Sequence, residues 1–242
     1  MGMDRSWLER YETVRHELDA TTDLASYFTE PSIHGTEVNV LPLGDLHLPT
    51  GRIVACDPMV ELEDTDSFMQ TAPPGTYPVE ACVIPSRKWG DRYACVRVVV
   101  TDARPVRYEC GMTGKENIDG PIEPGSYYGF GVDAGVGCVT DVQTREEAVN
   151  HTEELVASGK LEDWESPLDE ALEENARLNP KYQRDHGDWV NWTVPGTDDN
   201  IVVTSSGWGD GYYATYFAYD KDGEICGLYL SYILIEEDDE EE

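Results

Sequence analysis

Two glycine-framed segments of this chain hold the residue types that could do chemistry. They are Gly131-Val132-Asp133-Ala134-Gly135-Val136-Gly137-Cys138-Val139-Thr140-Asp141 and Ser205-Ser206-Gly207-Trp208-Gly209-Asp210-Gly211-Tyr212-Tyr213. Glycine lets a backbone turn sharply or approach another group closely, and the carboxylates, hydroxyls and aromatic rings beside it can contact a ligand. The sequence therefore places its candidate site at these two segments.

One hypothesis is a carboxylate-lined enzyme site. The aspartates concerned are Asp57, Asp133, Asp141 and Asp210. If they converge, they offer hard oxygen ligands for Mg²⁺ or Ca²⁺, or a general acid and base pair. Clustered carboxylates raise one another's pKa, and a bound cation or a shared proton relieves that repulsion. This hypothesis describes a divalent-cation-dependent enzyme of the hydrolase type.

A second hypothesis is purely structural. Aspartate side chains commonly accept backbone N–H groups at tight turns, and glycine supplies the positive φ that such turns need. In this interpretation Trp208 and Tyr212 are aromatic residues of the core. The protein is then a structural domain with no catalytic site.

The third hypothesis, which the charge favours, is a non-enzymatic acidic binding protein. The chain has 49 acidic and 17 basic residues, a formal net charge of −32, which disfavours nucleic acids and anionic membranes and attracts a basic protein partner. The same acidity also fits a solvated surface that keeps the chain soluble, or a salt-rich environment. We expect an immunity-type inhibitor of a basic toxin, without a resident cofactor, that uses exposed aromatic anchors such as Trp89, Trp189 and Trp192. The candidate contact residues are Asp57, Asp133, Gly135, Asp141, Ser206, Trp208, Asp210 and Tyr212.

Specific catalytic motifs do not match. The segment around Gly135 lacks the Gly-Lys-Ser/Thr ending of a P-loop and the third glycine of a dinucleotide fingerprint. Ser206 lacks the upstream glycine of a serine-hydrolase elbow. The six cysteines form no C-x-x-C pair, so we expect buried, reduced thiols. The sequence shows no secretory h-region and no apolar run of roughly 18 to 20 residues, which predicts a cytoplasmic protein with no membrane association.

The order of elements predicts an α+β fold, mainly an antiparallel sheet or sandwich with an N-terminal helix and two inserted helices. Apolar residues recur at helical spacing from Trp7 to Leu18, and strand-like runs follow between 38 and 110. A capping-box pattern at 144–147 and a Ser166-Pro167 pair predict the starts of the inserted helices. Strand character returns from 189 to 235, where Asp220-Lys221-Asp222-Gly223 predicts a hairpin. We predict one domain over 1–235 and an acidic tail at 236–242.

Four ordered motifs resemble the bacterial family called Domain of Unknown Function 4241. They are 46–58 (LHLPTGRIVACDP), 74–79 (PGTYPV), the segment 131–141 and the segment 206–212. The resemblance covers about 44–230 and implies one intact domain, but it implies no particular activity. Families of this kind are associated with bacterial toxin and antitoxin loci, which fits a toxin as the basic partner.

Overall fold

The computed structural model describes residues 5–88, 90–162 and 164–236. Trp89 and residues 237–242 of the expected acidic tail lie outside these ranges. Within them the chain forms two larger antiparallel sheets, one two-stranded ribbon and four α-helices. The predicted α+β class, with an N-terminal helix and two helices inserted between strands, is confirmed. Among the described residues, no helix combines the length and apolarity needed to cross a bilayer.

The helices and strands follow in this order along the chain. The helices are α1 (Arg5–Val14), α2 (Ser26–Thr29), α3 (Val142–Ala157) and α4 (Pro167–Leu178). The strands are β1 (Ser32–Ile33), β2 (Thr36–Glu37), β3 (Asn39–Leu48), β4 (Ile53–Cys56), β5 (Gly75–Ile84), β6 (Arg92–Val99), β7 (Arg107–Cys110), β8 (Gly129–Val132), β9 (Val136–Asp141), β10 (Trp189–Thr193), β11 (Asn200–Ser205), β12 (Gly211–Tyr219) and β13 (Ile225–Ser231).

The large sheet has the strand order β3-β5-β6-β13-β12-β7, and β8 also pairs with β12. Its neighbours are antiparallel, so hairpins account for β5–β6 and β12–β13. The predicted turn between the last two strands is confirmed, because the Gly223 amide donates to the Asp220 carbonyl at 3.1 Å. Aspartate and glycine at these positions favour the reversal.

The small sheet has the order β10-β11-β9-β4 and is covered on both faces. Residues such as Ile53 and Val139 join the core shared with the large sheet. Their alternate neighbours Val54 and Cys138 pack in a second core with Leu168 and Leu172 of α4. Successive side chains of a strand point to opposite faces, so the fold has three layers: large sheet, small sheet and the inserted helices.

The helix starts show one success and one error of sequence reasoning. Helix α4 begins as expected, with a capping box formed by Ser166 and Asp169 and a proline in the first turn. Helix α3 begins at Val142 rather than at Thr144, because the Asp141 side chain accepts the Gln143 amide and is the N-cap. The predicted capping box at 144–147 is therefore wrong, and Asp141 has a structural task.

The N-terminal helix is tied to the body by long-range hydrogen bonds. Trp7 donates its indole N–H to the Glu116 carbonyl at 2.8 Å, and the Tyr11 hydroxyl lies 3.1 Å from a carboxylate oxygen of Glu109. A short 3₁₀ turn, Arg15–Leu18, continues α1 and buries Leu18. The apolar periodicity of the sequence thus spans both helical pieces.

All six cysteines are buried free thiols, as expected. Cys56 and Cys138 are direct partners across β4 and β9, and their sulfur atoms lie 3.7 Å apart. The hydrogen bond with the Cys56 thiol, together with burial, raises the pKa of Cys138, so this sulfur stays protonated.

Candidate functional site

At each of the two glycine-framed segments the chain passes from one sheet to the other, as it also does before and after β4. After β8 in the large sheet, residues 133–135 lead into β9 in the small sheet. After β11 in the small sheet, residues 206–210 lead into β12 in the large sheet. We call these turns the first and second corner. The rest of each segment is strand, so each turn is shorter than the glycine-framed segment that contains it.

The corners lie side by side. The Ser206 amide donates to the Gly135 carbonyl at 3.1 Å. A Cβ atom on Gly135 would lie 3.9 Å from the Gly209 Cα. Gly135, Gly207 and Gly209 have φ of 72°, 63° and 104°, which residues with a side chain rarely adopt. Glycine is thus required here for the backbone path itself.

Ser206 is a scaffold residue of the second corner. Its side chain is buried, and its hydroxyl donates to the Gly209 carbonyl at 2.8 Å. The Tyr213 hydroxyl donates to the same carbonyl at 2.8 Å, and the Gly209 amide returns to the Ser206 carbonyl at 3.1 Å. This closed set of bonds fixes the turn and leaves the Ser206 hydroxyl engaged with backbone.

Asp57 stabilises the first corner by accepting hydrogen bonds from its backbone. It is fully buried at the end of β4, and its Oδ2 accepts the amides of Asp133 at 2.9 Å and Ala134 at 2.7 Å. Its Oδ1 accepts the Met59 amide at 3.0 Å. Both carboxylate oxygens therefore serve backbone donors, as the structural hypothesis expected for this residue.

Asp141 also accepts backbone hydrogen bonds, but it lies at the end of β9 away from the first corner. Its carboxylate accepts the Thr50 amide at 3.0 Å, the Thr50 hydroxyl at 2.8 Å, the Gly51 amide at 2.9 Å and the Gln143 amide at 2.9 Å. Five strand steps separate it from Val136, which is roughly 16 Å at strand rise. Asp141 is therefore remote from the corners, and its oxygens are occupied.

The four aspartates do not form the single carboxylate cluster that the enzyme hypothesis requires. Asp57 and Asp141 are buried and bound to backbone groups, whereas Asp133 and Asp210 are exposed at the corners. Within residues 5–88, 90–162 and 164–236, no group of three or more histidine, cysteine or acidic side chains has a metal-binding arrangement.

Two aromatic side chains of the second corner face solvent. Trp208 is 65% exposed and Tyr212 is 50% exposed, so the expectation that they belong to the core is wrong. The Arg92 guanidinium lies 5.2 Å from the centre of the Trp208 ring, a cation–π contact at the edge of the site.

Sequence reasoning missed Tyr127, which belongs to the same surface. Its ring stacks on Tyr212 with centroids 6.1 Å apart, and its hydroxyl donates to the Tyr212 carbonyl at 3.3 Å. The Tyr212 hydroxyl in turn accepts the Gly129 amide at 2.8 Å. No motif in the sequence marks Tyr127, because 85 residues separate it from its stacking partner. We call Tyr127, Asp133, Trp208, Asp210 and Tyr212 the corner surface.

A groove of about 310 Å³ opens beside Tyr127 and Tyr212. Its other lining residues are uncharged: Ala20, Thr21, Thr22, Leu24, Gly125, Tyr213, Ala214, Tyr216, Ser231, Tyr232 and Leu234. Burial raises the pKa of Tyr212, Tyr213 and Tyr216, so these hydroxyls remain neutral hydrogen-bonding groups. Leu234 at the rim is 53% exposed. The groove thus adds apolar and aromatic area to the corner surface.

The two described tryptophans that were expected to be exposed anchors are buried to different degrees. Trp189 is only 9% exposed and packs in the main core, so its role as an anchor is wrong. Trp192 is partly buried, and its ring centre lies 6.2 Å from that of His151 on α3. Trp89 lies outside the described residues.

Comparison with known proteins gives one match. A family model described as "Protein of unknown function (DUF4241)" matches residues 46–230, which include both corners, Asp57 and Asp141. The curated proteins and the solved structures gave no match.

Proposed function

The chain belongs to the DUF4241 family of proteins of unknown function, and from that premise we propose that it is a non-enzymatic binding protein whose corner surface docks a basic protein partner. The observation that carries this proposal is a cluster of exposed aromatic rings on rigid turns, flanked by exposed carboxylates. In its more specific form, the partner is a basic bacterial toxin and this chain is its inhibitor.

The aromatic rings supply the area for contact. Trp208, Tyr212 and Tyr127 are 65%, 50% and 43% exposed. Tryptophan and tyrosine contribute disproportionately to protein interfaces, because each buries a large apolar body while its polar atom can still hydrogen-bond. The uncharged groove beside them extends the surface that a partner could cover.

The geometry is set before any partner arrives. Asp57 holds the first corner, the Ser206 hydrogen bonds hold the second, and Tyr127 and Tyr212 stack on each other. Binding to ordered side chains costs less conformational entropy than binding to mobile ones. The corner surface is therefore organised as a contact surface rather than as a flexible loop.

The charges select the kind of partner. Asp133 and Asp210 are exposed and take part in no ion pair within the described part of the chain, so they can pair with an incoming lysine or arginine. The net charge of −32 adds a long-range attraction that raises the association rate. A basic partner satisfies both features.

The test is to co-express the chain with the product of each neighbouring gene and to measure binding of any basic product by calorimetry. In a complex so identified, Trp208→Ala is expected to lose about 2 kcal/mol, roughly a thirtyfold weaker affinity, because the ring is a central anchor. Asp133→Asn with Asp210→Asn is expected to slow association and to flatten its salt dependence.

Matched controls lie away from the corners. Trp164 is 78% exposed and Asp222 lies in the β12–β13 turn, so Trp164→Ala and Asp222→Asn should leave affinity unchanged. A complex whose affinity is unchanged by Trp208→Ala and by both corner asparagines would overturn the proposal, and so would a complex that the control variants weaken equally.

A further inference from the structure

A second cleft lies at the far end of β11 from the corners, and its centre is His47 on the edge strand β3. Leu46 and Leu48 point into the core, so His47 faces the other side, where its side chain is 37% exposed. Its Nδ1 lies 2.6 Å from Oδ1 of Asp199. Thr76, on the neighbouring strand β5, pairs directly with His47 and lines the same cleft.

The backbone that presents His47 is irregular and firmly held. The pairing of β3 with β5 shifts between Pro42 and Gly44, and Gly44 has φ of 91°. Asn191 donates to the carbonyls of Leu43 at 3.0 Å and Asp45 at 2.9 Å. A Cβ atom on Gly44 would lie 2.9 Å from the Asn191 amide nitrogen. The bulge and the asparagine therefore fit each other closely.

Asn200 holds the next residues of the same strand. Its side-chain oxygen accepts the His47 amide at 2.8 Å, and its side-chain nitrogen donates to the Asp45 carbonyl at 2.8 Å and to the side chain of Asn191. Asn200 is only 6% exposed. Two asparagines are thus committed to one bulge beside a titratable ring, an arrangement typical of functional sites.

Asp199 determines which nitrogen of His47 is free. Its side chain is 9% exposed, and its second oxygen accepts the Gln143 side chain at 3.4 Å. In the neutral ring, the Nδ1 hydrogen is donated to this carboxylate, so Nε2 presents a lone pair. Burial raises the pKa of neighbouring Glu147, and the Asp199 carboxylate adds to that rise.

The cleft has a volume of about 440 Å³, within the range of small-molecule sites. Its lining residues are Asp45, His47, Thr76, Asn191, Thr193, Asp198 and Asn200, with neither lysine nor arginine among them. The two asparagine amides are engaged with protein groups. Within the described part of the chain, the lining side-chain groups left without a hydrogen-bond partner are two exposed carboxylates, the His47 Nε2 and two hydroxyls. A ligand with N–H donors and positive charge matches the carboxylates and the imidazole nitrogen of this lining.

We propose that this cleft binds a guanidinium group, which donates to the His47 Nε2 and to the carboxylates of Asp45 and Asp198. A planar guanidinium has five N–H donors in a fixed fork, which suits several acceptors converging from one side. The group is carried either by a free small cation or by an arginine of a protein. This proposal is independent of the corner surface.

The experiment is an NMR titration of the full chain in 150 mM salt, following the side-chain amides of Asn191 and Asn200. The probes are methylguanidinium, a glycine-serine peptide with one central arginine, and the same peptide with neutral citrulline. We expect saturable one-to-one binding of the first two and at least tenfold weaker binding of the citrulline peptide. A tenfold preference for the arginine peptide over methylguanidinium assigns the group to a protein side chain, and equal affinities assign it to a free cation.

Variants distinguish binding in the cleft from non-specific attraction of a cation to the acidic protein. His47→Phe and the exposed pair Asp45→Asn with Asp198→Asn should each weaken binding at least tenfold, and the pair keeps the test valid if His47→Phe does not fold. The control is His16→Phe, which removes another histidine–aspartate contact away from the cleft. The Nδ1 of His16 lies 3.4 Å from Oδ2 of Asp19, and the His16 side chain is 65% exposed. Absence of saturable binding, equal binding of citrulline, or indifference to the cleft variants overturns the proposal. Trp208→Ala, which tests the corner surface, should leave this titration unchanged.

Discussion

Asp57 and Asp141 differ from Asp133 and Asp210 in what surrounds the same carboxylate. The first pair is buried, and its oxygens accept backbone and hydroxyl hydrogens at both ends of the small sheet. The second pair is exposed at the corners. Buried carboxylates with several donors hold a chain path, whereas exposed carboxylates beside aromatic rings are available to a partner. The glycine-aspartate pattern therefore combines two separate roles.

The buried member with the most partners should give the largest effect on stability. Asp141→Ala leaves the amides of Thr50, Gly51 and Gln143 without their acceptor and removes the N-cap of α3. We expect a loss of about 4 kcal/mol in the free energy of unfolding. Urea unfolding followed by circular dichroism measures it. A loss no larger than that of Asp133→Ala would abolish the distinction between the two pairs.

Asp57→Ala should have a slightly smaller effect. It removes the acceptor for the amides of Asp133, Ala134 and Met59 but leaves every helix cap intact. We expect about 3 kcal/mol of destabilisation. The released first corner should also exchange its Asp133 and Ala134 amide hydrogens faster, as measured by NMR. Unchanged exchange at these two amides would show that Asp57 does not hold the corner.

A third buried carboxylate, Glu109, sharpens the comparison through pH. Burial alone would raise its pKa, but hydrogen bonds from Arg107, Gln70 and Tyr11 outweigh burial and lower it. A lowered pKa means that the contribution is complete above the ordinary glutamate pKa and is lost as pH falls through the folded-state value. Glu109→Gln should therefore cost about 2 kcal/mol at pH 7 and progressively less in urea unfolding between pH 5 and 3. A difference in the free energy of unfolding between the wild type and Glu109→Gln that stays constant over this pH range would contradict a lowered pKa for Glu109.

The exposed pair should give the smallest effect on stability. Asp133→Asn with Asp210→Asn keeps the corner backbone bonds, so the free energy of unfolding should change by no more than about 0.5 kcal/mol. The same urea experiment measures it, with Asp222→Asn as the exposed control. A loss of several kcal/mol would place Asp133 or Asp210 among the structural carboxylates.

Local rules predicted the local features. The 220–223 hairpin and the start of α4 depend on residues within four positions of one another, and both were predicted correctly. The start of α3 was missed because Asp141, the true cap, is also held by Thr50 from 91 residues away. Asp57 meets the Asp133 amide across 76 residues, so no sequence pattern separates it from the exposed aspartates.

The candidate surface was only partly predictable for the same reason. The glycine and aspartate content predicted where both corners lie. The exposure of Trp208 and Tyr212, however, depends on how the two corners pack side by side. No sequence pattern marks His47 as a site residue, because its partner Asp199 lies 152 residues away. Tertiary pairing, rather than residue type, decides which polar groups converge.

The pairing of β4 with β9 has a consequence for the nascent chain. Cys56 and its partner Cys138 are 82 residues apart, so at ordinary rates of translation β4 is made roughly 4 to 16 s before the strand that receives it. Throughout that interval the apolar segment Ile53-Val54-Ala55-Cys56 lacks the strand that covers its edge in the folded protein, which favours association with chaperones or with other nascent chains. A truncated gene product that stops before residue 136 would keep that edge open permanently.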